Sequence, residues 1–137
     1  MTPCPHRPPH LLIAEDEEAI ALLLLEAMEE AGLRATLARD GLDALDRLGR
    51  QRFDLLLTDI RMPRLGGVDL VRALWQRSSR MPVIVLSGYM TPKDATDLRA
   101  LGVRPEAILS KPTGLAQVVE AVLTALHASD ATPPVSA

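Results

Sequence analysis

Apolar residues fall in short blocks along this chain, separated by polar or helix-periodic stretches. The blocks at 10–14 (HLLIA), 34–38 (RATLA), 53–59 (FDLLLTD), 81–88 (MPVIVLSG) and 106–112 (EAILSKP) read as strands. Short runs rich in Leu, Ile and Val and bounded by turn residues are the mark of buried strands. The stretches between them read as helices. Residues 17–32 are acid-rich at the start and stop at Gly32, and 41–50 carry Leu42, Leu45 and Leu48 at helical spacing. Residues 66–77 follow a glycine pair, 91–102 make a polar helix closed by Gly102, and 114–128 make a last amphipathic helix.

Strand and helix therefore alternate. The strands at 10–14, 53–59 and 81–88 are almost purely aliphatic, as parallel strands covered on both faces are. Right-handed crossovers then predict an α/β fold with a doubly wound parallel sheet. Such a sheet binds ligands at the carboxyl ends of its strands, near the switch in strand order.

Composition narrows the classes. A chain of 137 residues is the usual size of one domain, and 47% hydrophobic residues suffice for a core. That core is aliphatic, because the chain holds one Trp, one Tyr and one Phe. A net charge of −3, with no basic run and no aromatic platform, predicts no nucleic-acid partner. A single cysteine, Cys4, excludes a disulfide framework and predicts a reducing, cytoplasmic setting. The longest apolar run, 19–28, is interrupted by Glu26 and too short to span a bilayer, so no membrane partner is predicted. No signal sequence opens the chain. Residues 1–9 and 129–137 read as disordered tails around one domain at 10–128. Met1 and these tail-like ends fit a complete, stand-alone product.

The strand ends carry the candidate chemistry. The first strand delivers Glu15 and Asp16, the third Asp59, the fourth Ser87 followed by Gly88, and the fifth Lys111 followed by Pro112. Read singly, each has a plainer account: a turn residue, a helix-start acid, a loop serine, a solvated lysine. The predicted fold brings them to one edge. Three carboxylates side by side repel and raise one another's pKa, and a divalent cation relieves this. Hard oxygen ligands with no His or Cys nearby favour Mg²⁺. A cation, an ammonium and a hydroxyl suit a phosphoryl group, and the central carboxylate can act as nucleophile to form an acyl phosphate. Cys4, His6, His10 and His127 lack ligand spacing and receive no role.

With these residues in hand, the chain resembles the receiver domain of two-component response regulators over roughly 10–128. The matching motifs are LIAEDE, LLLTDIRMP, VIVLSG and ILSKP, in order and at the strand ends. The resemblance implies a flavodoxin-like sheet of strand order 2-1-3-4-5 with five helices. It implies that Asp59 accepts a phosphoryl group from a sensor histidine kinase or a phosphotransfer protein, and that the chain is no enzyme beyond catalysing its own phosphorylation and dephosphorylation. Asp16, Glu15, Asp59 and the main-chain carbonyl of Arg61 would bind Mg²⁺. Ser87 would contact the phosphoryl oxygens, and Lys111 would pair with Asp59 and then with the phosphoryl group. The Lys111–Pro112 peptide would be cis. The partner of the signal is an unknown downstream protein, and a homodimer is one compatible assembly.

The sequence departs from the family at Ile108, where many receivers carry Tyr or Phe, and at Gly66, where Asp is frequent. Arg61 and Tyr89 flank the site and are expected to shield the phosphoryl group from water, whereas Gly88 leaves room beside Ser87. On the first helix, Glu18, Glu26, Glu29 and Glu30 share one face, with Ile20, Leu24, Ala27 and Ala31 opposite. Leu22 falls inside the acidic face and Leu25 at its edge, which predicts a docking patch for a kinase helical bundle. Two other functions stand beside this one. An aspartyl-phosphate hydrolase would want a second acid where Arg61 stands. A receiver-like dimerisation module that is never phosphorylated commonly loses an acid or the lysine, and this chain keeps all of them. A dinucleotide site is disfavoured because no G-x-G-x-x-G loop follows the first strand.

Overall fold

In the computed structural model, residues 8–77, 81–111 and 114–131 are described, with side chains as far as 128. The elements run β1 (His10–Ala14), α1 (Glu18–Glu30), β2 (Arg34–Ala38), α2 (Gly41–Arg50), β3 (Leu55–Asp59), α3 (Gly67–Gln76), β4 (Val83–Ser87), α4 (Pro92–Leu101), β5 (Ile108–Ser110) and α5 (Leu115–Ala131). The strands form one parallel sheet in the order β2-β1-β3-β4-β5, the doubly wound arrangement expected. The order reverses between β1 and β3, so a crevice opens at their carboxyl ends.

Alternation along the central strands builds two cores. Leu11, Ile13, Leu55, Leu57, Ile84 and Leu86 face α1 and α5, where Leu24, Met28, Val118 and Val122 complete one cluster. Leu12, Leu56, Val83 and Val85 point the other way, against Ala44, Val71, Leu74 and Leu98 of α2, α3 and α4. β3 and β4 are buried along their whole length, and the edge strands β2 and β5 are partly exposed. The aliphatic, two-faced burial read from the sequence is thus what the sheet contains.

Boundaries moved in several places, each for a local reason. β5 is only three residues long, because Pro105 starts a 3-10 turn over Pro105–Ala107 where strand was expected. α5 continues to Ala131, past the expected stop at 128. The span 115–131 contains neither Gly nor Pro, so no helix breaker ends it earlier. Leu42 fits the helical spacing of α2 yet lies outside, 44% exposed, while Ala44 takes the buried position. The cis Lys111–Pro112 peptide, Cys4 and His6 lie outside the described residues.

Candidate functional site

Register brings the carboxylates together. Ala14 pairs with Thr58 across β1 and β3, so the next residue of each strand, Glu15 and Asp59, leaves the sheet side by side. Asp59 pairs with Leu86 across β3 and β4, which sets Ser87 one step further on. Ser87 in turn pairs with Ser110, and the Ser87 carbonyl accepts the Lys111 N–H at 2.8 Å. The ladder itself therefore carries Glu15, Asp59, Ser87 and Lys111 to one edge.

Side-chain contacts tighten the group. Lys111 Nζ lies 3.1 Å from Asp59 Oδ2 and 3.3 Å from Glu15 Oε1. Asp59 Oδ1 accepts the Ile60 N–H at 2.7 Å, and Glu15 Oε2 accepts the Glu17 N–H at 3.2 Å. Glu15 thereby caps α1, whose N-cap residue Glu17 makes no side-chain capping bond of its own. Glu15 and Asp59 are buried, whereas Asp16 is exposed. Ligand oxygens of Glu15, Asp16 and Asp59 all lie within 4.8 Å of one another. Asp16, Arg61 and Gly66 line a shallow cavity of about 400 Å³ beside them.

Electrostatics follow from this crowding. Burial pushes the Glu15 carboxyl above its ordinary range; the charge of Asp59 adds to this, and the Glu17 N–H and Lys111 oppose it. Burial works against the Lys111 ammonium, but its hydrogen bond to Asp59 and the nearby charges of Glu15 and Asp59 outweigh that, so its pKa is raised. Lys111 stays protonated, yet one ammonium does not balance three carboxylates. A cluster of hard oxygen donors with excess negative charge fits a divalent cation of the Mg²⁺ type.

The response regulator receiver domain model matches residues 11–123. The chain belongs to that family. Among curated relatives, the Regulator of RpoS of Escherichia coli K12 is 37% identical over 120 residues, covering 87% of this chain and 35% of that protein. The response regulator receiver protein CpdR of Brucella abortus is 32% identical over 112 residues, covering 82% of this chain and 92% of that one. The chain thus spans about a third of the first relative's length. Among solved structures, the Francisella response regulator 1452 receiver domain superposes with a TM-score of 0.80 at 27% identity, over 88% of this chain and 98% of that one.

As a receiver domain of the two-component class, the chain places Glu15, Asp16, Asp59 and Lys111 where the sequence put them. Ser87 is buried at the same edge, but its hydroxyl turns to the following loop: it donates to the Tyr89 carbonyl at 2.8 Å and accepts the Tyr89 N–H at 3.2 Å. Ile108 is half-buried against the core on the α2, α3 and α4 side. Among the described residues, no helix is long and apolar enough to cross a membrane.

Two features escaped sequence reading. Arg61 Nη2 donates to Asp94 Oδ2 at 3.1 Å, a pairing across 33 positions that no local pattern announces. Gly67, read only as a helix start, packs against the end of β3. A Cβ there would come within 2.2 Å of the Asp59 carbonyl oxygen, so only glycine lets α3 start this close. The glycine pair after an acidic strand end was the available signal.

Proposed function

We propose that this receiver domain is a phosphoacceptor switch in which Asp59 takes a phosphoryl group from the phosphohistidine of a sensor histidine kinase or phosphotransfer protein. The observation that supports it best is the Asp59–Lys111 pair set beside Glu15 and Asp16 at the open carboxyl edge of the sheet. A carboxylate oxygen of Asp59 attacks phosphorus while the donor's P–N bond opens. The electron pair of that bond leaves with the imidazole, and an acyl phosphate remains.

Lys111 supplies a fixed positive charge for the phosphoryl oxygens, held ready by Asp59 and Glu15. The Ser87 hydroxyl donates to one of those oxygens after leaving the Tyr89 carbonyl. Asp16, Asp59 and the Arg61 carbonyl, with Glu15 assisting, would hold Mg²⁺, which when bound supplies charge that offsets the carboxylates and the incoming phosphoryl oxygens. Water later cleaves the acyl phosphate, and Arg61 and Tyr89 slow this step by covering the group. The chain thus acts only on itself. Arg61 stands where a hydrolase would carry its second acid, and in the unphosphorylated chain its guanidinium pairs with Asp94.

The donor docks on α1. Leu22 and Leu23 are 50% and 51% exposed there, among Glu18, Glu26 and Glu29. The added charge then alters contacts with a downstream protein.

A radiolabelled phosphohistidine donor tests the reading. Label should move to the wild type and not to Asp59→Asn, and neutral hydroxylamine, which attacks acyl phosphates, should release it. Label that resists hydroxylamine, or that also appears on Asp59→Asn, would refute it.

A further inference from the structure

Contacts on the α4 side of the site form one connected chain. The Ser87 hydroxyl is tied in both directions to the main chain of Tyr89. The Tyr89 ring lies under the Arg61 guanidinium, with Cζ 5.7 Å from the ring centroid. Arg61 Nη2 reaches Asp94 Oδ2 at 3.1 Å. That same oxygen accepts the Thr91 N–H at 3.1 Å, while Thr91 Oγ1 accepts the Asp94 N–H at 3.0 Å. These last two bonds are a reciprocal capping box on α4. Asp94 therefore serves the cap of α4 and the loop after Asp59 at once. Ile108 has no polar atom and offers no comparable relay.

We propose that Arg61 and Asp94 form a latch that holds α4 and the Tyr89 loop in their unphosphorylated arrangement, and that phosphorylation of Asp59 opens it. It rests on the phosphoacceptor reading above. Arg61 stands two residues from Asp59 and lines the cavity next to Asp16. A phosphoryl group on Asp59 carries up to about two negative charges where the carboxylate carried one, and brings three acceptor oxygens beside that loop. A guanidinium prefers such an acceptor to a single carboxylate oxygen. The Ser87 hydroxyl has to release the Tyr89 carbonyl to serve the same group. Both ends of the chain of contacts are then drawn toward Asp59, and Tyr89 and Asp94 lose their partners together. α4 and the β4–α4 loop become the surface that reports the modification. Coupling of this kind is reciprocal, so weakening the latch from the Asp94 side strengthens binding of the phosphoryl group.

Beryllium fluoride with magnesium, a stable mimic of the acyl phosphate, reads this out. It is titrated into wild type, Asp94→Asn, Arg61→Met and the double variant, and amide NMR shifts follow binding. Asn keeps an acceptor for the Thr91 N–H, and Met keeps the Arg61 main-chain carbonyl. Asp94→Asn should bind about threefold tighter than wild type, the size of factor a solvent-facing ion pair supplies, whereas Arg61→Met, which loses the guanidinium's contact with the mimic along with the latch, should bind no tighter. The double variant should bind like Arg61→Met, because no latch remains for Asp94→Asn to release in that background. In unmodified protein, the Asp94 and Ala95 amides should exchange with solvent faster in Arg61→Met than in wild type. Equal or weaker affinity in Asp94→Asn overturns the latch and leaves the acceptor reading standing. Failure of the wild type to bind overturns both.

Discussion

Asp59 closes a strand of four apolar or hydroxylated residues, and a buried carboxylate is costly unless paired. Its two oxygens are both engaged, by the Ile60 N–H and by Lys111. That solves the placement, and it leaves Glu15 and Asp16 as surplus charge at the same edge. At this scale the site was legible because each residue stands at an abrupt change from apolar to polar. Arg61–Asp94 was not, because an ion pair between a loop and the first turn of α4 depends on where the fold brings them.

Asp40 shows the same division. No local pattern singled it out, and it caps α2 by accepting the Asp43 N–H at 2.8 Å and Arg64 Nε–H at 2.9 Å. Arg64 adopts the left-handed backbone conformation, φ 71°, to make that bridge. The Asp43 N–H, helped by Arg64 and opposed by burial, holds the Asp40 carboxyl below its ordinary value of 3.8. A depressed pKa means the ionised form stabilises the fold. Its contribution is complete above the unfolded value and is lost as pH falls through the folded one. Asp40→Ala should cost about 1–2 kcal/mol in urea unfolding at neutral pH, the usual range for a lost cap. The difference from wild type should narrow as the pH drops below about 4. A difference that stays constant into acid would show that the charge plays no part.

Among the elements, α1 has a packed face and an exposed apolar pair. Ala21, Leu24 and Met28 form its buried stripe, one position off the centre that wheel geometry gave. The displacement puts Leu23 outside with Leu22. Helix faces computed at 100° per residue locate an edge to within about one position, and so Leu23 was missed. Leu24→Ala should destabilise by about 2–5 kcal/mol, as core truncations do. The Leu22→Ala, Leu23→Ala pair should shift stability by no more than about 0.5 kcal/mol per residue. The same pair should slow phosphotransfer at low kinase concentration, and unchanged transfer would remove α1 from the docking surface. β5 and its short extent were the least legible element. Its strand residues are few, and a proline turn replaces the first of the expected ones.

Over the whole molecule, topology was the most legible level. Aliphatic strands spaced by helical stretches leave little besides a parallel sheet, and right-handed crossovers fix where its open edge lies. Two aliphatic cores, one on each face, hold the central strands rigid. The candidate groups Glu15, Asp59, Ser87 and Lys111 stand at or just beyond their carboxyl ends, where the strands give way to loops.

The claim on which the rest depends is that Asp59 carries the phosphoryl group. Intact mass spectrometry after incubation with Mg²⁺ and acetyl phosphate measures it most directly, for wild type and Asp59→Asn with and without a chelator. The account predicts the mass of one phosphoryl group added to wild type alone, and its absence once the metal is removed. An equal gain in Asp59→Asn, or a gain indifferent to chelation, would contradict it.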